Sequence, residues 1–461
     1  MSRKPGVARP LLLILLVLLL AGCSTVPGRD ELPVEAPEAF SQTGSDRVVP
    51  DRWWLDLQDA SLEGLIEQAL SHNFSLRAAW ARLRQAEAVA QREGAARLPS
   101  LDLNGSLTRA DGSDTRASTS RQLGLYAGYE LDLWGRVKAS SDAAALDAQA
   151  SEADLRTTAL SLSASLADTW YQLVEQRAQI DLIGRQLNLN GQLLELIEGR
   201  FKTGQVYASD VYRQRQLLAQ TEGEMAQAQT RLKTLEHQLT ILLGSVPGSQ
   251  TLPLDADLPV LLPLPTTGLP SELLNRRPDL QAALLRLQAS DARAAAAVAN
   301  RYPRLDLSAA LTSPGATGGV FDGWLGSLVA QLSAPLFDGG QRRAEVARTE
   351  AVVRESLNDY AQALLEALGE VEDALVAEAG QRRYLSTIDA QLEALATVAT
   401  QEGQRYFQGD ADYLSVLDAI RSRQSLERQQ VSARRELISN RIALVTALAG
   451  GWSMTSEDEP Q

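Results

Sequence analysis

The sequence predicts a mainly α-helical protein that also has a transmembrane β part. Three observations support this prediction. Two segments of nearly seventy residues lack proline and consist mostly of strong helix formers. Short segments of alternating polar and apolar residues precede each of them. The whole pattern occurs twice along the chain, which indicates a duplicated unit.

The duplication holds at a nearly constant offset. Near the start of each copy, Leu76, Ala78, Ala79 and Arg82 match Leu280, Ala282, Ala283 and Arg286, 204 positions later. Residues 97–103 match 301–307 at the same offset, and 200–204 match 405–409 at an offset of 205. Such constancy over this distance indicates two internal repeats.

Domain boundaries follow from the duplication. The first repeat spans 62–245 and the second spans 271–452. Between them, residues 246–270 carry six prolines, which disfavour a helix and predict an extended linker. The stretch 23–61 is polar and bears prolines, so we expect an extended N-terminal segment there. Residues 453–461 form an acidic tail.

The N-terminus is typical of a secretory signal peptide, residues 1–22. Its apolar run, 11–20, is too short to span a bilayer. Leu20-Ala21-Gly22-Cys23 resembles a lipobox, which implies cleavage before Cys23 and lipid on its sulfur, while Ser24 favours sorting to the outer membrane. Several acyl chains would anchor the protein firmly. The alternative is an unmodified cysteine in an ordinary signal peptide.

Composition excludes several classes of protein. The net charge of -14 and the absence of a basic stripe disfavour nucleic-acid binding. A mean hydropathy of -0.16 excludes a structure that consists mainly of apolar transmembrane helices. Two histidines, one cysteine and no Gly-rich phosphate loop argue against an enzyme and against any cofactor. Four aspartates in turn-like sequence could hold calcium, but solvated turns are the better interpretation: Asp111, Asp114, Asp410 and Asp412.

Long helices are predicted at 136–202 and 341–408, each on the order of 100 Å in length at ~1.5 Å per residue. Shorter helical segments flank them at 62–96, 209–244, 271–300 and 413–449. Apolar residues recur at mixed threes and fours, as packed helices require. A plain coiled-coil rod is the alternative, but it cannot accommodate the segments between these helices.

Four alternating segments lie within 99–133 and 303–337, at about 100–108, 122–133, 304–312 and 324–336. The first places Leu101, Leu103 and Leu107 on one face and polar side chains on the other. Polar loops are predicted at 109–121 and 313–323. Such lengths suit tilted membrane-spanning strands, while a soluble sheet with one buried face is the alternative.

Four strands cannot close a transmembrane barrel, because each unpaired backbone group in hydrocarbon costs several kcal/mol. Several protomers must therefore share one barrel. A dimer, trimer or tetramer would supply about eight, twelve or sixteen strands, and only the larger two leave an open lumen.

Specific residues also resemble a known family. Residues 130–136 (ELDLWGR), 335–340 (PLFDGG) and 450–452 (GGW) are similar to those of TolC-like outer-membrane efflux proteins of the NodT/OprM lipoprotein type. The resemblance implies a homotrimer with a shared outer-membrane β-barrel and a long periplasmic α-barrel. It implies passive export as the exit duct of a tripartite efflux pump. The partners would be a periplasmic adaptor (membrane fusion) protein and an inner-membrane pump of the RND type.

The same resemblance implies a gate at the periplasmic tip. Gly204 and Gly409 are natural helix ends, so the helical hairpins should turn there. Asp210 and Tyr406 match the family's closing contacts. The alternative for Asp210 is a simple helix N-terminal acid.

Asp418 resembles the carboxylate that lines the constriction of these ducts. Three copies around an axis would attract cations. The alternative is a local ion pair with Arg421. Ala411 stands where some members have an arginine, which departs from the family's lock.

Two other functions stay open for the sequence. One is the outer-membrane duct of a type I protein secretion system, and the other is a lipid-anchored structural tether of the envelope. The sequence does not separate drugs, metals, solvents or a polypeptide as cargo.

Overall fold

A computed structural model describes residues 34–448, except 36, 46, 48–49, 51, 113–114, 251, 254–255 and 314–322. The predicted signal peptide, Cys23 and the acidic tail lie outside the described residues. What the sequence predicts for them therefore stays a prediction.

Each repeat follows the same order of helices and strands. The first contains α1 (Ala60–His72), α2 (Phe74–Ala95), β1 (Ser100–Gly112), β2 (Thr115–Leu131), α3 (Arg136–Lys202) and α4 (Ala208–Leu242). The second contains α5 (Leu273–Arg276), α6 (Pro278–Ala299), β3 (Arg304–Ser313), β4 (Leu325–Ser333), α7 (Gln341–Gln408) and α8 (Tyr413–Ala447). A short 3-10 helix precedes each set, at Trp53–Leu57 and Pro270–Glu272. The prediction of a mainly helical fold with four strands from two repeats is confirmed.

Helices α3 and α7 are continuous over 67 and 68 residues. Both begin after a glycine with positive φ, Gly135 at 75° and Gly340 at 92°. An aspartate accepts hydrogen bonds from backbone amides at each start: Asp132 from Val137 N at 3.1 Å, and Asp338 from Gly340 N at 3.0 Å. Both long helices therefore begin with the same kind of cap, shortly after the second strand of their repeat. Neither they nor any other helix in the described part of the chain combines the length and apolar content needed to cross a membrane.

The four strands form one antiparallel sheet in the order β1-β2-β3-β4. Leu125 of β2 lies opposite Leu103 of β1 and Leu311 of β3, so the apolar positions of neighbouring strands share one face. This face is open, since Leu103 is 65% and Leu328 is 83% exposed. An open apolar face does not fit the alternative of a soluble sheet with one buried face.

The first hairpin is longer than its sequence pattern predicts. The predicted loop 109–121 is mostly strand, since β1 continues to Gly112 and pairs with Thr115. The ladder needs only backbone hydrogen bonds, so it continues where apolar alternation has stopped. At the other end of the sheet, β4 stops at Ser333 rather than near 336, because Pro335 cannot donate to a ladder.

Two predicted helices are in fact broken. The segment 62–96 divides at Asn73, whose backbone is extended and whose side chain accepts hydrogen bonds from the first amides of α2. The segment 271–300 divides 204 positions later at Arg277, because Pro278 starts a new helix. The apolar pattern continues through both breaks, so periodicity alone does not reveal them.

The N-terminal stretch is less extended than predicted. Trp53 and Trp54 lie in a 3-10 helix and are both buried. The Trp53 indole donates to Ser163 Oγ at 3.1 Å, and the Trp170 indole donates to Asp59 Oδ2 at 2.7 Å. These two hydrogen bonds therefore join the segment to the middle of α3.

A buried charge cluster joins the second repeat to the linker. Glu378 of α7 is fully enclosed and accepts hydrogen bonds from Arg441 at 2.6 Å and from Arg382 at 2.8 Å. Arg441 also donates to the carbonyl oxygen of Leu262 at 2.9 Å. Burial opposes ionisation of Glu378, but these hydrogen bonds and positive charges lower its pKa. Glu378 is therefore held as a carboxylate.

Candidate functional site at the helical tips

Each long helix reverses direction through a glycine in the left-handed region. Gly204 has a φ of +73° and Gly409 a φ of +86°. One residue later, Gln205 N donates to the carbonyl of Arg200 and Asp410 N donates to that of Arg405, both at 2.9 Å. This bond pattern is the Schellman motif, in which glycine is favoured because it has no Cβ. The two hairpin turns are thus equivalent structures.

Asp210 caps the start of α4. Its carboxylate accepts a hydrogen bond from the backbone amide of Tyr207 at 3.3 Å and lies 3.8 Å from the Arg213 guanidinium. A carboxylate here also interacts favourably with the helix dipole. Within one chain, Asp210 therefore has the local role that the alternative interpretation gives it.

Tyr406 lies in an aromatic cluster between the two hairpins. The Arg200 guanidinium is 4.9 Å from its ring centroid, and the Tyr413 ring is 5.6 Å away. The Tyr406 hydroxyl is buried without a hydrogen-bond partner among the described residues. Burial, together with nearby Tyr406 and Asp210, raises the pKa of Tyr413 above its ordinary value. The predicted residues Asp210 and Tyr406 therefore both lie beside Tyr413.

Behind this cluster is a buried polar network that the sequence does not predict. The Tyr413 hydroxyl donates to Gln214 Oε1 at 2.6 Å, and Gln214 Nε2 donates to the Asn190 carbonyl at 2.8 Å. The Asn190 side chain donates to Thr221 Oγ1 at 3.0 Å and accepts from Gln424 Nε2 at 2.9 Å. All five side chains are buried. Hydrogen bonds in such a setting hold α3, α4 and α8 in one register.

One signal could have revealed this network. Gln179, Gln186 and Asn190 are spaced by seven and four residues along α3, which places them on one helix face. Polar residues at that spacing within a leucine-rich helix predict that one face of the helix makes polar contacts with a neighbouring helix. Gln186 and Gln179 do bond to α8, through Arg428.

Asp418 differs from the other predicted gate residues because it is exposed. It lies on α8 and has no hydrogen-bond or ion-pair partner within the described part of the chain. Arg421, the partner in the alternative interpretation, instead donates to Gln216 Oε1. An unpaired carboxylate thus lies on the surface of the tip.

One of the turn aspartates has a simple local role. Asp412 accepts a hydrogen bond from Ser415 N at 3.2 Å and so caps α8. The residues that the structure describes contain no group of three or more side chains placed to hold a metal ion.

Comparison with known proteins agrees with these features. The pattern of the family described as outer membrane efflux protein matches residues 65–245 and 269–450. The chain is 34% identical to the pyoverdine export outer membrane protein OpmQ of Pseudomonas putida, over 97% of this chain and 98% of that protein. It is 31% identical to the outer membrane protein OprJ of Pseudomonas aeruginosa, over 98% and 97%.

Solved structures show the same architecture. The outer-membrane channel OprN has a TM-score of 0.85 at 32% identity, over 93% of this chain and all of that one. The open state of the MtrE channel of Neisseria gonorrhoeae has a TM-score of 0.84 at 27% identity, over 93% and 99%. The members named here are channels and efflux proteins, so the family predicted from the sequence is confirmed. This chain belongs to the outer membrane efflux protein family.

Proposed function

We propose that this protein is the outer-membrane exit duct of a tripartite efflux pump and exports small molecules passively from the periplasm. One observation carries the proposal: an apolar sheet face is left open directly beyond two helices of 67 and 68 residues. Lipid is the environment that stabilises such a face. The helices then extend on the order of 100 Å away from it, at ~1.5 Å per residue.

Three copies complete the duct in this proposal. The strands β1 and β4 each have one edge without a neighbour in the sheet of the described chain. Such edges are costly inside a membrane, so neighbouring copies must pair with them. Three sheets of four strands would give a barrel of about twelve strands, which is wide enough for an open lumen.

The gate is proposed at the tips. The cluster of Tyr406 and Tyr413, with Asp210 beside it, would keep the hairpins together in the resting state. Asp418, exposed and unpaired in one chain, would line the constriction in three copies. The partners that open the tips would be a periplasmic adaptor and an inner-membrane pump of the RND type. They would act by binding the open arrangement more tightly than the closed one.

Cys23 is proposed as the lipid attachment site that holds the duct in the outer membrane. The cargo of this chain is not specified by its relatives, since their names include pyoverdine export, toluene efflux and cation efflux. A wide duct with few cargo contacts accounts for this range. Selection of cargo would then occur at the pump.

Deletion of the gene tests the proposal. In a host that relies on the cognate pump, we expect ethidium or another pump substrate to accumulate, and the wild-type gene to reverse this. A Cys23→Ser variant separates anchoring from conduction, because it removes the lipid and leaves the described fold unchanged. Unchanged accumulation in the deletion strain, with the pump present and active, would contradict the proposal.

A further inference from the structure

A cavity of about 590 Å³ lies where helix α8 ends and helix α6 begins. Ala447 at the end of α8 and Pro278 at the start of α6 both line it, together with parts of α3 and α7. All four helices belong to one chain, so the cavity forms without a second copy. Its volume falls in the range of pockets that hold drug-sized molecules, roughly 300–1,000 Å³.

Small apolar side chains form much of the cavity wall. They come from all four helices: Leu160 of α3, Pro278 of α6, Ala374 and Ala377 of α7, and Ala443 and Ala447 of α8. Ala377 and Ala443 are exposed, so the cavity is open to solvent on that side. A wall of this kind favours a ligand with an apolar body.

One cation lining the cavity, Arg277, is already neutralised. Its side chain is only 10% exposed, and its guanidinium pairs with Asp279 and with Glu370, each at 2.7 Å. It also donates a hydrogen bond to the carbonyl oxygen of Ala447 at 3.3 Å. Burial opposes ionisation of Asp279, but the hydrogen bond and charge of Arg277 lower its pKa. An anionic ligand would therefore have to displace two carboxylates from Arg277.

A third carboxylate at the cavity has no such partner. Asp373 of α7 is exposed and has neither a hydrogen bond nor an ion pair among the described residues. The equivalent residue of the first repeat, Asp168, accepts hydrogen bonds from Ser439 and Gln172. The two repeats thus differ at this position: the first satisfies its carboxylate within the chain, and the second leaves it free.

The balance of charge around the cavity favours a cation. Three carboxylates and one guanidinium line it, which gives a net charge of -2. The last turn of α8 also lines it and adds the negative end of the helix dipole. Asn440 of α8 is half-buried at the wall, and its side chain has no hydrogen bond within the described part of the chain. Its amide oxygen can accept a hydrogen bond from an N–H group of a ligand.

We propose that this cavity binds a drug-sized organic cation, with the positive charge at Asp373 and the apolar body against the alanines of α7 and α8. A bare metal ion fits poorly, because the cavity is far larger than an ion and two of its carboxylates are held by Arg277. The site lies within one chain, so the inference goes beyond the proposed duct and does not depend on export.

Fluorescence anisotropy of ethidium tests the site with assembled full-length protein in detergent. We expect saturable binding to the wild type, and binding roughly ten-fold weaker to Asp373→Asn, because the free carboxylate is lost. Ala377→Trp should abolish binding by filling the cavity. The matched control is Asp359→Asn, an exposed and unpaired aspartate of the described chain. It lies fourteen residues away on α7, on the order of 20 Å at ~1.5 Å per residue, and should bind ethidium like the wild type.

Two results would overturn the site. One is an ethidium affinity that is the same for the wild type and Asp373→Asn, or no saturable binding to the wild type at all. The other is saturable binding of the anion fluorescein in place of ethidium. Asp373→Asn carries the test even if Ala377→Trp does not assemble, because it changes only an exposed, unpaired side chain. Ethidium binding is measured without a pump or a membrane, so failure of this site and failure of the duct are separate outcomes.

Discussion

At Glu378 the fold encloses a negative charge between two arginines. Removal of one member of a buried ionic cluster leaves the others without compensation. We expect Glu378→Gln to lower the free energy of unfolding by about 3 kcal/mol. The control Glu393→Gln, on an exposed position of the same helix, should change it by less than about 0.5 kcal/mol. Thermal unfolding in detergent, followed by helical circular dichroism, measures both; equal effects would contradict this account of Glu378.

The lowered pKa of Glu378 sets a pH dependence. Because its folded pKa lies below the ordinary value of 4.5, the cluster stabilises the protein fully above that pH. This stabilisation is lost as the pH falls through the folded pKa. The stability difference between wild type and Glu378→Gln should therefore shrink below about pH 4.5. Unfolding curves at pH 7 and pH 3.5 check this, and a constant difference would show that the charge is irrelevant.

Asp418 carries a prediction about conduction. Neutralisation in Asp418→Asn should reduce the preference of the reconstituted duct for cations, because the carboxylate faces no counter-charge in the described chain. Asp418→Glu keeps the charge and should keep the preference. Reversal potentials under a salt gradient measure the effect. Identical reversal potentials for all three proteins would show that Asp418 does not line the pore.

At the scale of secondary structure, the hairpin turns depend on their glycines. Gly409→Ala would place a Cβ on a residue with a φ of +86°, at a cost of about 1–2 kcal/mol. Gly403→Ala, inside α7 and with open space around it, should instead stabilise the helix by about 0.5–1 kcal/mol. Hydrogen exchange at the tip should be faster in the first variant and slower in the second. If both substitutions changed the exchange rate in the same direction, the turn would have no special role.

Tyr413 tests the polar network behind the tip. Tyr413→Phe leaves Gln214 Oε1 without its donor, at a cost of about 1–3 kcal/mol for a buried group. We expect more frequent opening of the tips and thus a larger leak current. Tyr384→Phe is the control, since its hydroxyl accepts a hydrogen bond from Gln429 at an exposed site. An equal leak current in both variants would show that the polar network does not control opening of the tips.

Elements with a strong local pattern could be predicted from the sequence. The long helices and the strands follow from the spacing of apolar residues, because that spacing decides which side chains share one face of the element. The helix break at Asn73 and the continuation of the β1–β2 ladder beyond Arg109 could not be predicted. Capping decides the first and backbone pairing the second, and neither follows the spacing of apolar residues. The bonds from Tyr413 to Gln214 and on to Asn190 depend on which helices meet, and no local pattern specifies that.

For the whole molecule, the duplication supplies two pairs of strands and two long helices of 67 and 68 residues. Strands β1 and β4 each keep one edge without a neighbour in the sheet of the described chain. Because such edges are costly inside a membrane, the proposed duct requires neighbouring copies to pair with them. A heterologous contact of this kind forms a ring when its rotation closes. Three copies joined by such contacts would form the closed duct that we propose.

Conductance in a planar bilayer tests the duct most directly. Full-length protein extracted in detergent and added to one side should insert and give small, stable currents. Tyr413→Phe should give currents several-fold larger from the same amount of inserted protein. Bilayers that stay silent with both proteins, although each is folded and assembled by gel and circular dichroism, would contradict a lumen through the membrane.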